Sequence, residues 1–308
     1  MTGLIGLISP SHSVYGSSSN VFSGIWQMFT YHFMVNAFAA GTIVAIGASV
    51  IGWFMVLRRQ TFAGHTIAVI GFPGAAGAAL LGISITLGYF AACFAGAVVI
   101  GLVPRSSSGR SRGSESAVIG TLQAFALACG VLFVSLFHGF LNQMTSLLFG
   151  SFLGITNDQV LILAVVCGVA ISGVAIIGRP LFFASIDPDV ASARGVPVRS
   201  LSLIFMILLG LAVAEASQIT GSLLVFALLV MPSATAQRLT NSTKLSLLIS
   251  MLTGIATTWC ALSAAYFSIF PVGFYLTTFG FSFYLLALGI EWARNARPLN
   301  LAQTEQGQ

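Results

Sequence analysis

The sequence predicts an all-α polytopic membrane protein of eight or nine transmembrane helices, and three observations predict it. Hydrophobic residues make up 57% of the 308 and charged residues only 6%, with a mean hydropathy of +0.98, far from the composition of a soluble domain. Apolar windows near the length of about 20 residues that a bilayer core demands fall at 34–57, 62–82, 84–104, 116–137, 159–178, 200–217, 219–237, 245–268 and 272–292. Finally, if every window is crossed once, all 12 Lys and Arg residues fall on one side, which marks that side as cytoplasmic.

Taken in order, residues 1–32 hold no charged side chain apart from His12 and His32 and lack the basic region of a secretory signal. They read as an extracytoplasmic segment, with Trp26, Tyr31 and Phe33 as an interfacial aromatic anchor. Arg58 and Arg59 close the first span, and Arg105, Arg110 and Arg112 follow the third. Arg238 and Lys244 follow the seventh, and Arg294 and Arg297 the ninth. Residues 33–292 thus form one membrane domain with the N-terminus outside, and 293–308 a frayed cytoplasmic tail. The net charge of +5 is a topology signal and calls for no nucleic-acid partner. Cys93, Cys129, Cys167 and Cys260 stand singly in apolar windows and read as small buried hydrophobes.

The stretch "SIDPDVASARGVPVRS", 185–200, departs from this pattern. It holds four charged residues, Asp187, Asp189, Arg194 and Arg199, between two apolar runs. Asp187 then Pro188 predicts a helix N-cap and first turn, since the carboxylate accepts orphan N–H groups and proline has none to waste. Gly195 and Pro197 predict the stop. A cytosolic helix of about seven residues, roughly 10 Å long, results.

Catalytic machinery is missing from the pattern. The only lysine, Lys244, lies in "RLTNSTKLS", so no phosphate-cradling loop ending in Lys-Ser/Thr exists. There is no HExxH, and the Gly-x-Ser-x-Gly match "GRSRG", 109–113, reads as a basic loop without the strand-to-helix turn that exposes a nucleophile. Asp187 and Asp189 sit two apart in a loop and make no dyad. The chain is read as no enzyme, so that energy from ATP would come from another chain.

Ionisable residues inside apolar windows are costly and therefore candidates for function. His65 stands about one turn into the second window. Its alternatives are a metal contact or a histidine held by a neighbouring helix. Glu215, in "LAVAEASQITG", is read near the outer end of the sixth window, either as a carboxylate snorkelling to the outer interface or hydrogen-bonded at a helix junction, or as part of a cation path. His138 reads as a solvated loop residue. Pro73 and Pro232, each followed by small residues, are expected to break helices along the pathway, in segments similar enough to suggest an inverted repeat.

The successive stretches "FMVNAFAAGTIVAIGASVIGWFMVLRR", "GHTIAVIGFPG", "LLFGSFLGIT", "FFASIDPDVASARGVPV" and "ITGSLLVFALLVMPSATAQRL" together resemble the membrane permease of zinc/manganese/iron-type ABC importers over about residues 33–292. The resemblance implies a type II ABC importer-like permease in a cell membrane, a homodimer working with cytosolic ABC ATPase subunits and an extracytoplasmic metal-binding protein. It implies that Asp187, Pro188, Asp189, Arg194 and Gly195 couple the chain to the ATPase. It also implies that ATP is bound by the partner and that this chain carries no cofactor beyond the metal ion it transports. Family members show Gly-Asp-Ala-Leu-Ser-His-Ala-Val-Leu-Pro-Gly where this sequence has Gly64 to Gly74, so His65 replaces the Asp and Val69 the His. A lone imidazole suits zinc or another borderline metal, and two copies of His65 facing each other in a dimer would restore a ligand pair. The alternatives are a metal-chelate importer of siderophore or cobalamin type, and an ATP-independent carrier.

Overall fold

The computed structural model describes residues 28, 30–103, 109–136, 150, 152, 154–222 and 224–296, with 109–115 and 296 described as backbone only. It is all-helical over these residues: α1 (His32–Leu57), α2 (Thr61–Leu80), α3 (Ile85–Leu102), α4 (Gly109–Leu136), α5 (Asn157–Ile186), α6 (Pro188–Ala193), α7 (Val198–Thr220), α8 (Val225–Leu239), α9 (Thr243–Tyr266) and α10 (Val272–Ala296). Eight of these are long and apolar enough to cross a membrane. The protein is thus a multi-pass membrane protein. Helix α8 has only 15 residues, about 22 Å at 1.5 Å per residue, short of the roughly 30 Å hydrocarbon core.

Side-chain contacts show how these helices alternate. Trp53 Nε1 donates to Ser246 Oγ (2.9 Å) and Gln237 Nε2 to the Trp53 carbonyl (2.9 Å). Arg58 reaches Ser185 and Ser202, and Arg238 pairs with Glu291 at 2.6 Å while Arg294 donates to the Leu239 carbonyl. The last turns of α1, α5, α8 and α10 and the first turns of α7 and α9 therefore share one end of the bundle. The chain leaves this end in α7 and returns to it in the short helix α8.

Helix α1 is the central post, packed against α5, α7, α8 and α9. Helices α2, α3 and α4 form a neighbouring group that joins it through α7, while α3, α4, α5 and α10 carry most of their surface outward. Lipid tails are as apolar as leucine, so burial alone cannot drive helices together in a bilayer. Close backbone approach and interhelical polar contacts must do it. Both are present. A Cβ on Gly52 would collide with the backbone carbonyl of Leu229, and Gly74 and Gly88 bring α2 and α3 together in the same way. The Ser233 and Ser250 hydroxyls lie 3.2 Å apart and each bonds the Ser49 carbonyl at 3.3 Å, tying α8 and α9 to α1.

Several sequence expectations change. Pro73 and Pro232 do not break their helices, and neither does Pro180. Proline frees one carbonyl, which a membrane helix tolerates when a neighbouring helix, a hydroxyl side chain, water or a local tightening of the turn bonds it again. Pro73 and Pro232 are both buried here. Gly109–Gly113 belongs to the first turns of α4, not to a loop, because nothing before Ser116 stops a helix already favoured by the apolar run after it. Cys93 and Cys167 are buried, but Cys129 is only half-buried and Cys260 is exposed on the outer surface of α9, where an apolar side chain faces lipid as readily as protein. The 293–308 tail begins as helix, through Ala296. Of the N-terminal aromatic anchor, Tyr31 and Phe33 are exposed with their rings 5.7 Å apart, while Trp26 lies outside the described residues, as do His138 and the tail from 297.

Candidate functional site

Two places gather the polar groups that a helical bundle in lipid would otherwise avoid. The first is the basic end of α5 and α7. Asp187 caps α6 as its sequence predicts, its Oδ1 accepting from the Asp189 and Val190 amides at 3.1 and 3.0 Å, with Pro188 in the first turn. Arg194 is the C-cap, and Gly195 takes φ +82°, a conformation that costs glycine nothing. The helix is six residues long, and of these only Ala191 is buried. Asp189, Arg194 and the apolar Val190 (44% exposed) face outward, with Ile186 (64%) just before them. Replacing Asp187 with Ala removes both cap bonds, a loss of about 1 kcal/mol. Amide exchange at Asp189 and Val190 is expected to speed up about fivefold for that energy, measured by hydrogen–deuterium exchange, with the rest of the bundle unchanged.

Sequence reasoning treated Arg58 only as a topology marker. Its guanidinium donates to Ser185 Oγ at 3.1 Å and Ser202 Oγ at 2.6 Å and lies 5.5 Å from the centre of the Phe205 ring. One side chain from α1 thus holds the helix that enters α6 and the helix that leaves it. The planar, forked donor set of arginine is what allows one residue to bridge two hydroxyls. Nothing in the sequence ties Arg58 to serines 127 and 144 positions away, except that both flank the capped segment.

The second place is inside the bundle. Glu215 is 2% exposed and lies within an unbroken helix that ends only at Gly221 (φ +81°), so it does not snorkel to a surface. Its Oε1 has no hydrogen-bond partner, and its Oε2 lies 4.0 Å from where a Cβ on Gly47 would stand. The same point is 2.8 Å from Cys167 Sγ, and that thiol donates to the Ile43 carbonyl at 3.3 Å. Gln218, one turn further along α7 and so on the Glu215 side of the helix, has a buried amide nitrogen without a partner.

His65 stands on α2. Its ring meets Phe226 edge-on at 5.4 Å, and its buried Nδ1 has no partner, so the neighbouring helix contacts the ring without a hydrogen bond to it. Val69, one turn on, is buried. Among the described residues no three His, Cys, Asp or Glu side chains converge as a metal cage.

The chain is thus a multi-span helical bundle with a capped, outward-facing peg joining two of its spans. Residues 30–291 match the family model described as the ABC 3 transport family, and the chain belongs to that family. It is 31% identical over 250 residues to the manganese transport system membrane protein MntC of Halalkalibacterium halodurans, covering 79% of this chain and 81% of that one. It is 30% identical over 231 residues to the chelated iron transport system membrane protein YfeC of Yersinia pestis, covering 75% and 77%. Among solved structures, PsaBC from Streptococcus pneumoniae in complex with Fab superposes with a TM-score of 0.75 at 26% identity, over 86% of this chain and 94% of that one. The chain is accordingly the permease subunit of an ABC transporter.

Proposed function

We propose that this chain is the permease of a binding-protein-dependent importer for a divalent transition metal ion, manganese or zinc, in the plasma membrane with its basic end in the cytosol. Two copies pair, two cytosolic ATPases dock on residues 187–195, and an extracytoplasmic binding protein delivers the metal. ATP binding and hydrolysis occur on the ATPase. The observation that carries this reading is the exposed, capped α6 clamped through Arg58 to α1. A push on Val190 and its neighbours moves α5 and α7 together, and α1 with them. The peg and the clamp act as one element that a partner's work biases between two arrangements. The metal class follows the relatives, one a manganese and one a chelated-iron system.

His65 and Glu215 are the cargo-facing candidates. His65→Ala is expected to lower metal accumulation at least about tenfold, the scale on which losing an ordered ligand shell acts, with protein level unchanged. Elemental analysis of cells expressing the variant with its ATPase measures it, and normal accumulation removes His65 from the path. A chelate as cargo is the second reading, favoured by the replacement of an Asp/His pair by His65 and Val69. Uptake of the metal only when a chelator accompanies it would establish that reading over the free ion.

A further inference from the structure

The geometry points to a buried transition-metal site at the junction of α1, α5 and α7, built from the Cys167 thiolate, the Glu215 carboxylate and the Ile43 carbonyl. Three features of the chain converge there. Glu215 is 2% exposed with one carboxylate oxygen unpartnered, an arrangement that costs several kcal/mol unless something neutralises it. Cys167 is 5% exposed, and its sulfur already faces a main-chain oxygen of α1. Gly47, one turn beyond Ile43, lacks the methyl that would strike the sulfur and press toward the carboxylate. The glycine leaves thiol and carboxylate free to turn toward each other over the α1 backbone.

Charge decides the ligand class. A thiolate and a carboxylate together carry two negative charges and cancel those of one divalent ion, so the occupied site is neutral where the dielectric is low. As the metal binds, the thiol proton and the proton that keeps the buried Glu215 carboxyl neutral in the empty site are both released to water, and the bond from thiol hydrogen to the Ile43 carbonyl is exchanged for metal coordination by that oxygen. Sulfur excludes hard ions and favours zinc or ferrous iron over manganese. Sulfur and oxygen donors reach zinc at about 2.3 and 2.0–2.2 Å, within the swing of two side chains that both border Gly47. Gln218, with its unpartnered amide, continues the polar face of α7 beyond Glu215. The site deepens the metal-import reading by naming the ion class, and it rests on that reading only for the ion's role as cargo.

The test uses the full-length chain purified in detergent with Co(II) as probe. One equivalent of Co(II) is expected to produce a near-ultraviolet thiolate-to-metal charge-transfer band that Zn(II) abolishes and excess Mg(II) leaves intact. Cys167→Ser should lose the band, and Glu215→Gln should weaken Co(II) affinity at least about tenfold. Cys260→Ser, at an exposed thiol, should keep it. In the unmodified chain, X-ray absorption of the bound Zn(II) should show one sulfur neighbour at about 2.3 Å, so the result does not depend on any variant folding. No band, a band that survives Cys167→Ser, unchanged affinity in Glu215→Gln, or a Zn(II) shell without sulfur overturns the site. Metal accumulation in cells without the band overturns the site alone, while the band without accumulation overturns the import reading alone.

Discussion

Gly52→Val is expected to abolish the folded protein. A Cβ at residue 52 would overlap the Leu229 carbonyl and sit 2.9 Å from its carbon and 3.0 Å from Ser233 Oγ. Backbone cannot step aside as a side chain does, so α1 and α8 must separate. Overpacking of this kind costs about 1–3 kcal/mol where side chains absorb it, and more where main chain is the obstacle. Separation would also strain the neighbouring bonds from Gln237 to Trp53 and from Ser233 to Ser49. The measurement is monodispersity and thermal midpoint of the purified chain. Gly168→Ala and Gly289→Ala are the controls, since nothing lies within 4 Å of either added Cβ. In those helices alanine should be neutral or stabilising by up to about 1 kcal/mol.

Arg58→Ala is expected to leave the bundle in the membrane and to uncouple it. The variant removes both charge-assisted bonds to Ser185 and Ser202 and the contact with Phe205. Arg58 is half-buried, so the stability lost is about 1–3 kcal/mol once solvent screening is allowed for. The larger effect falls on transport: α5 and α7 keep their peg but lose the tie to α1. Metal uptake by the reconstituted transporter should drop at least about tenfold while ATP turnover continues, a tenfold change matching about 1.4 kcal/mol of coupling. Arg58→Lys should recover only part, because a point charge cannot bridge two hydroxyls as a planar fork does. Equal losses of uptake and ATP turnover would instead assign Arg58 a purely structural role.

The parts of the protein that were legible in the chain are those set by local chemistry. Asp187 meets its own following amides, Pro188 fits the first turn, and Gly195 adopts positive φ, all within nine residues. The apolar windows likewise appear as helices, since every backbone polar group in lipid must be satisfied within its own segment. Pro73 and Pro232 misled because a proline's effect depends on what surrounds the freed carbonyl. Glu215 was placed near a surface because its distance from Gly221 along the chain says nothing about the partner helices that bury it.

By itself, then, the sequence determined the solvent, the helices and the capped peg, because those follow from burial and hydrogen bonding over a few neighbouring residues. Only the tertiary structure decided that Arg58 spans α5 and α7, that Gly52 admits Leu229, and that Cys167 stands beside Glu215. These pairs are separated by 120 residues or more in several cases, and helix packing in lipid is set by shape and close approach, which hydropathy does not encode.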